Sequence, residues 1–215
     1  MRKATNQVLF LMAFLLLVGI AFSQRHRSRQ ASHGEPGAFD YYLLTLSWSP
    51  EFCYSHPEKP ECQSGHHGFV VHGLWPQYVD GYPEHCSNAP GLQNPAEMTD
   101  IMPDAGLVAH EWSTHGTCSG LDAESYFGLL RRAFAAIKIP DRFAAVRENF
   151  SVAPDEVKRA LVRTNPNLSG GDVTVSCGNN FLTAVSVCLS KELKPIACQN
   201  VRDCRANVIR VAAVR

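Results

Sequence analysis

The sequence predicts an α+β fold, and three observations carry that expectation. Strand-like apolar runs and helix-like amphipathic stretches are interspersed without the regular strand–helix–strand alternation of a parallel sheet. Removing an N-terminal apolar leader of 23 residues leaves 192 of the 215, a length that suits one domain with a sizeable core. Eight cysteines, an even number, all follow that leader and read as four disulfides that stabilise the domain.

The leader is an address rather than part of the fold. Arg2 and Lys3 precede an almost wholly apolar run over residues 8–22, and Ala21 and Ser23 place small residues at a signal-peptidase spacing. A membrane span needs ~20 apolar residues, so the run reads as a signal peptide, residues 1–23, in preference to a retained anchor. Residues 24–37 are polar, carry Arg25, Arg27 and Arg29, lack apolar periodicity, and read as a flexible lead-in. The catalytic or binding domain is expected over residues 38–215.

Within that domain, residues 39–48 (FDYYLLTLSW) lack breakers until Pro50 and read as a buried strand. A Pro, Gly and Cys loop is expected through Gly65. Residues 68–73 (GFVVHG) read as a second central strand closed by Pro76, with a loop over 80–95. Asn94-Pro95 is a helix start, with Asn as cap and Pro in the first turn. Residues 107–115 read as a helix ending near Gly116. Residues 123–138 place Phe127, Leu130, Phe134 and Ile137 on one helical face. A helix is expected over 154–163, and strands over 173–177 and 181–189. No internal repeat and no C-x-x-C pair is present, so zinc is a weak reading of the cysteines.

Charge narrows the function. Cleavage removes two bases and no acid, leaving 18 basic against 20 acidic side chains, or −2 with histidine neutral. A chain that grips duplex nucleic acid by bulk charge alone is excluded, whereas a local basic groove on a neutral body is not.

Two segments carry chemistry: residues 69–76, FVVHGLWP, and residues 110–118, HEWSTHGTC. On a helix Glu111 and His115 are four apart and share a face, with His110 and Thr114 on the adjacent stripe. The two histidines of HEWSTH are five apart, ~140° around a helix, so they do not form the H-E-x-x-H grip of a zinc protease. There is no G-x-S-x-G nucleophile elbow. Two-histidine acid–base chemistry remains. Imidazoles titrate near ~6.5, so one can take a proton while another gives one near neutrality. RNA suits such a pair because it brings its own nucleophile, the 2′-hydroxyl, which DNA lacks.

The two segments, in this order and followed by a cysteine, closely resemble the ribonuclease T2 family, and the likeness runs over about residues 39–205. The resemblance implies an α+β fold with a central antiparallel sheet and flanking helices. It implies His72 as general acid, His115 as general base, Glu111 as the acid that assists at the phosphate and holds the histidines, and His110 as a phosphate contact. Trp75 resembles the aromatic that stacks on a base, while core packing is an equal reading of its indole. Trp112 is expected in the core, and Trp48 is left open. The resemblance also implies disulfides Cys53–Cys62, Cys86–Cys118, Cys177–Cys204 and Cys188–Cys198, out of 105 possible pairings of eight cysteines. The departure is Thr114, where many members carry Lys. Activity is expected all the same, with His110 and a further basic group covering part of the missing charge.

The expected activity is therefore endoribonucleolytic cleavage of single-stranded RNA through a 2′,3′-cyclic phosphate to 3′-phosphate ends. No metal, no cofactor and no obligate protein partner are expected, and the chain is expected to act as a secreted or periplasmic monomer with no membrane attachment after cleavage. A secreted RNA-binding or signalling protein without catalysis is the alternative, and a metallohydrolase the third reading. Asn149-Phe150-Ser151 and Asn167-Leu168-Ser169 are glycosylation sequons, which matter only in a eukaryotic secretory path. His66, His67 and His85 have two readings, near the site or in solvated loops, and the loops are favoured.

Overall fold

The computed structural model describes residues 31–63 and 67–214. The expected signal peptide, the first part of the expected lead-in and His66 lie outside the described residues.

The chain forms β1 (Ala31–His33), β2 (Tyr41–Trp48), α1 (Ser49–Ser55), α2 (Pro60–Gln63), β3 (Phe69–Gln77), β4 (Tyr82–Glu84), α3 (Ala105–Thr114), α4 (Ala123–Ala135), α5 (Asp141–Ala144), β5 (Phe150–Val152), α6 (Pro154–Thr164), β6 (Val173–Gly178), β7 (Phe181–Leu189) and β8 (Ile209–Val211). Short 3₁₀ turns at Pro95–Met98, Gly116–Ser119 and Gly170–Asp172 join them. A six-stranded sheet runs β3-β2-β7-β8-β5, with β6 also on β7, and its ladders are antiparallel except where β8 meets β7 at Phe181 and Arg210. This is the expected α+β class with a largely antiparallel sheet.

One face of the sheet carries the core. Leu44, Leu46 and Trp48 of β2, Val71 and Leu74 of β3, and Val185 and Val187 of β7 pack beneath Trp112 of α3 and Tyr126, Phe127 and Leu130 of α4. The opposite face carries a small cluster of Tyr41, Leu43 and Cys188, against which Trp75, Ile196 and Val201 rest. Trp48 belongs to the core: its indole has no solvent exposure and donates to the Ala212 carbonyl at 3.0 Å. The eight cysteines are joined as Cys53–Cys62, Cys86–Cys118, Cys177–Cys204 and Cys188–Cys198.

Several elements differ from the sequence-based expectation. The stretch after Pro50 is not loop throughout, since Pro50 and Pro60 each sit in the first turn of a short helix, where a missing N–H costs nothing. The strand at 69–77 runs through Pro76, because β3 is an edge strand and its outer side needs no donor. The helix expected from Asn94-Pro95 is a single 3₁₀ turn. Helix α3 begins before Leu107 because the Asp104 carboxylate accepts from Gly106 N at 2.7 Å and Leu107 N at 3.4 Å. From Ala31 onward the expected flexible lead-in is part of the fold: β1 pairs in parallel with β4, and Gly37 N donates to Cys118 O at 2.9 Å.

Replacing Trp48 by Ala removes the largest wholly buried ring and leaves the Ala212 carbonyl unpaired. A loss of ~3–5 kcal/mol is expected, to be read from urea unfolding of the two proteins.

Candidate active site

The site begins with an irregularity in the sheet. The β2–β3 register passes from Thr45 opposite Gly73 to Leu46 opposite Val71, so His72 is the extra residue of a β-bulge. Val71 and Leu74, three apart, both face the core, which puts His72 and Trp75 together on the other side of β3. The bulge thus re-aims the histidine out of the regular alternation. Ser47 of β2 meets it there, with its hydroxyl 2.9 Å from His72 Nδ1.

Helix α3 supplies the second half. Glu111 is 1% exposed, and its carboxylate reaches between the two β3 side chains. Glu111 Oε2 accepts from the Trp75 indole Nε1 at 2.6 Å, and Glu111 Oε1 lies 3.4 Å from His72 Nε2. Gly73 makes this approach possible, because a Cβ there would overlap both the Glu111 carboxylate and the Trp75 indole.

His115 closes α3. Its N–H donates to Glu111 O at 3.0 Å, and the chain then turns through Gly116, where a Cβ would collide with the rings of Trp112 and Tyr126. The His115 ring lies 5.2 Å from Trp75 and 6.4 Å from Tyr82 of β4, and its Nδ1 is buried without a hydrogen-bond partner. The His72 ring meets the same Trp75 indole at 5.3 Å, edge-on. Two imidazoles from distant stretches therefore flank one indole, with a carboxyl group bound to that indole. Cys86–Cys118 ties the chain after β4 to the turn after His115.

His110 is exposed on the rim, and its charge acts on both other histidines. Trp75 is half-buried, with one edge on the small outer cluster and the other toward the histidines. Trp112 is buried and donates to Ala89 O at 2.9 Å. Thr114 is buried, and its hydroxyl has no partner. His85 is an exposed loop residue, as favoured from sequence, and it also stands beside the site: its N–H donates to Thr114 O at 2.8 Å. Neither Ser47 nor His85 carries a motif signal, since each contact joins residues far apart in the chain.

Burial sets the protonation of the free site. Desolvation pushes the Glu111 carboxyl up to about 8, against the smaller opposing effect of the Trp75 hydrogen bond. Desolvation, and then the charges of His110, His72 and His85, push His115 down to about 3. Burial first, and His110 second, also lower His72. Near neutrality the proton of the Glu111–His72 contact thus rests on the carboxyl, and both imidazoles are free bases. Among the described residues the histidines do not bring three donor atoms to metal-ligand spacing; the one such grouping, Cys53, Glu61 and Cys62, contains two disulfide-bonded sulfurs.

These contacts make the site sensitive to a single methyl group and to pH. Gly73→Ala forces the Glu111 carboxylate off the indole; any activity of the site should fall by ~10²-fold or more, with a stability cost of ~1–3 kcal/mol, measured as turnover and thermal unfolding. The pH dependence of stability tests the buried groups. Glu111 is raised in the folded state, so its contribution is complete below ~4.3, the unfolded value, and is lost as pH rises toward about 8. His115 is lowered, so its contribution is complete above ~6.5 and is lost as pH falls toward about 3. Melting temperatures should therefore decline on the alkaline side less steeply in Glu111→Gln than in the wild type.

Comparisons with known proteins agree with the architecture. The model of the Ribonuclease T2 family matches residues 39–198. A ribonuclease of Aeromonas hydrophila is 41% identical over 118 residues, covering 54% of each chain. A probable ribonuclease of Haemophilus influenzae is 32% identical over 180 residues, covering 75% of this chain and 61% of that one. The chain thus matches less than two thirds of the length of these two relatives. An RNase-related protein from Calystegia sepium superposes with a TM-score of 0.68 at 22% identity, over 85% of this chain and 99% of that one. A variant of RNase MC1, solved with 5′-UMP, superposes with a TM-score of 0.63 at 19% identity, over 80% and 97% of the two chains. With its family model covering residues 39–198, the chain belongs to the ribonuclease T2 family.

Proposed function

We propose that the protein is an endoribonuclease that cleaves single-stranded RNA by metal-independent transphosphorylation. The observation that carries this reading is the pair of imidazoles, His72 and His115, flanking Trp75, with Glu111 bound to that indole and facing His72. Family membership supports the reaction class. The RNase MC1 complex with 5′-UMP supports a nucleotide in this kind of fold.

In the proposed reaction His115 is the general base. Burial keeps it unprotonated, ready to take the 2′-hydroxyl proton. The freed O2′ attacks phosphorus and displaces O5′, forming the 2′,3′-cyclic phosphate. His72 is the general acid at O5′. An entering phosphodiester brings negative charge, which favours an imidazolium beside it, and the protonated Glu111 carboxyl at His72 Nε2 is the adjacent proton source. In a second step water attacks phosphorus from the side O5′ left and gives a proton to His72, the P–O2′ bond breaks as His115 returns a proton to O2′, and a 3′-phosphate is left. His110, on the rim, contacts the phosphate, and the half-buried Trp75 offers a base a ring face for stacking. Ser47 holds His72 through Nδ1.

Action as a monomer is part of the same reading. So is export: residues 1–23 act as a signal peptide, residues 24–30 lead into the domain, and the four disulfides suit an oxidising compartment, extracellular or periplasmic. Among the described residues no helix is long and apolar enough to cross a membrane.

The test is cleavage of an RNA and a matched DNA oligonucleotide, in a chelator, by the wild type, His72→Ala and His115→Ala. RNA alone should be cut, with cyclic-phosphate ends first, and each variant should lose ~10²–10⁴-fold in rate. Equal rates in the variants, or silence in the chelator, would overturn the reading. The kcat/KM profile should hold its activity well below the ordinary imidazole range, because His115 is lowered to about 3, and fall on the alkaline side near the Glu111 value of about 8. Glu111→Gln should displace that alkaline limb.

A further inference from the structure

We propose that His85 and His33 form a second anion subsite, which takes a backbone phosphate of the RNA chain flanking the one held between His72 and His115. The proposal rests on the RNA-cleaving reading and extends it to substrates longer than a dinucleotide.

Both imidazoles are exposed, and their ring centroids lie 6.4 Å apart. They come from the two-stranded sheet outside the main one, where His33 ends β1 and His85 follows β4. His85 is not a loose side chain. Its backbone is left-handed, with φ at 51°, a region uncommon outside glycine in which histidine is among the enriched residues. Two contacts hold it here. His85 N donates to Thr114 O at 2.8 Å, and His85 Nδ1 lies 3.2 Å from Ser113 O. A carbonyl oxygen only accepts, so Nδ1 is the donor; in the imidazolium form both ring nitrogens carry hydrogen, and Nε2–H is then the donor left for a phosphate. The two carbonyls belong to the last turn of α3, where the helix's partial negative charge attracts a cation. The next residue, Cys86, is fixed to Cys118.

This anchored imidazole is continuous with the catalytic pair. Ser113 and Thr114 immediately precede His115, and Tyr82 of β4 faces the His115 ring at 6.4 Å. The charge of His85 is among those that keep a proton off His115. A single strand carries one phosphate per nucleotide, and contacts to phosphates fix its path without reading its sequence. A strand whose scissile phosphate sits at His115 therefore brings a neighbouring phosphate to the β1–β4 edge. Glu84, the register partner of His33, is the one acid in that small sheet, and it opposes the same anion.

The experiment compares a dinucleoside monophosphate, which has a single phosphate, with an octanucleotide. The proteins are the wild type, His33→Gln, His85→Asn, the double variant, and Glu84→Gln. Asn, like His, tolerates a left-handed backbone, and His33→Gln leaves that position untouched. The double variant should raise the octanucleotide KM relative to the dinucleotide KM about three- to fivefold, in the range of exposed charge contacts, and His33→Gln alone should raise the octanucleotide KM and leave the dinucleotide unchanged. Glu84→Gln should lower the octanucleotide KM. Equal losses on both substrates, or none on either, overturn the proposal. Binding of the uncleavable 2′-deoxy octanucleotide separates this subsite from the catalytic reading. It should weaken in the double variant, with a salt slope smaller by about 1 for each phosphate the variant no longer holds, even if no RNA is cut; unchanged binding and slope overturn it.

Discussion

The arrangement depends on one hydrogen bond, from the Trp75 indole to the Glu111 carboxyl at 2.6 Å. A carboxyl group with 1% exposure is costly to ionise, and a single neutral N–H does not compensate for the water it gives up. The group answers by holding its proton. In that state it bonds to the indole through one oxygen and faces His72 through the other. Helix α3 is thereby registered against strand β3 at the point where the chemistry is proposed. Removing the bond separates the two halves of the site, which come from segments almost forty residues apart in the chain.

The surrounding sequence is shaped to permit that contact. Gly73 is glycine because the carboxylate and the indole occupy the space of its missing side chain. Gly116 is glycine because the α3 turn presses on Trp112 and Tyr126. Trp112 and Tyr126 belong to the core, so the position of His115 is inherited from the packing beneath it. The short motifs around His72 and His115 are therefore mechanical units as much as chemical ones.

Much of this was legible in the sequence. Long strands and helices announce themselves by apolar pattern, as β2, β7 and α6 do, and the segments FVVHGLWP and HEWSTHGTC contain His72, Glu111 and His115, which the fold brings together around Trp75. What escaped reading is non-local. Strands of three residues such as β5 and β8 have no period to detect and exist only through their partners. The bulge at His72 is a property of the β2–β3 register, and no residue type marks it. Ser47 meets His72 across two strands, and His85 meets α3 across 28 residues. Pro76 reads as a strand end because sequence does not say which strand lies at the edge.

The Cys86–Cys118 bond carries a consequence for the cell that makes the protein. It staples the chain beyond β4 to the turn that follows His115, so the geometry around that histidine acquires its covalent brace only after two thiols lose their hydrogens. A newly synthesised chain in a reducing cytosol, surrounded by ribosomes and messenger, lacks that brace. On the proposed reading, oxidation then acts as a safety catch, and the braced site is completed only where thiols can be oxidised, away from the producer's own transcripts.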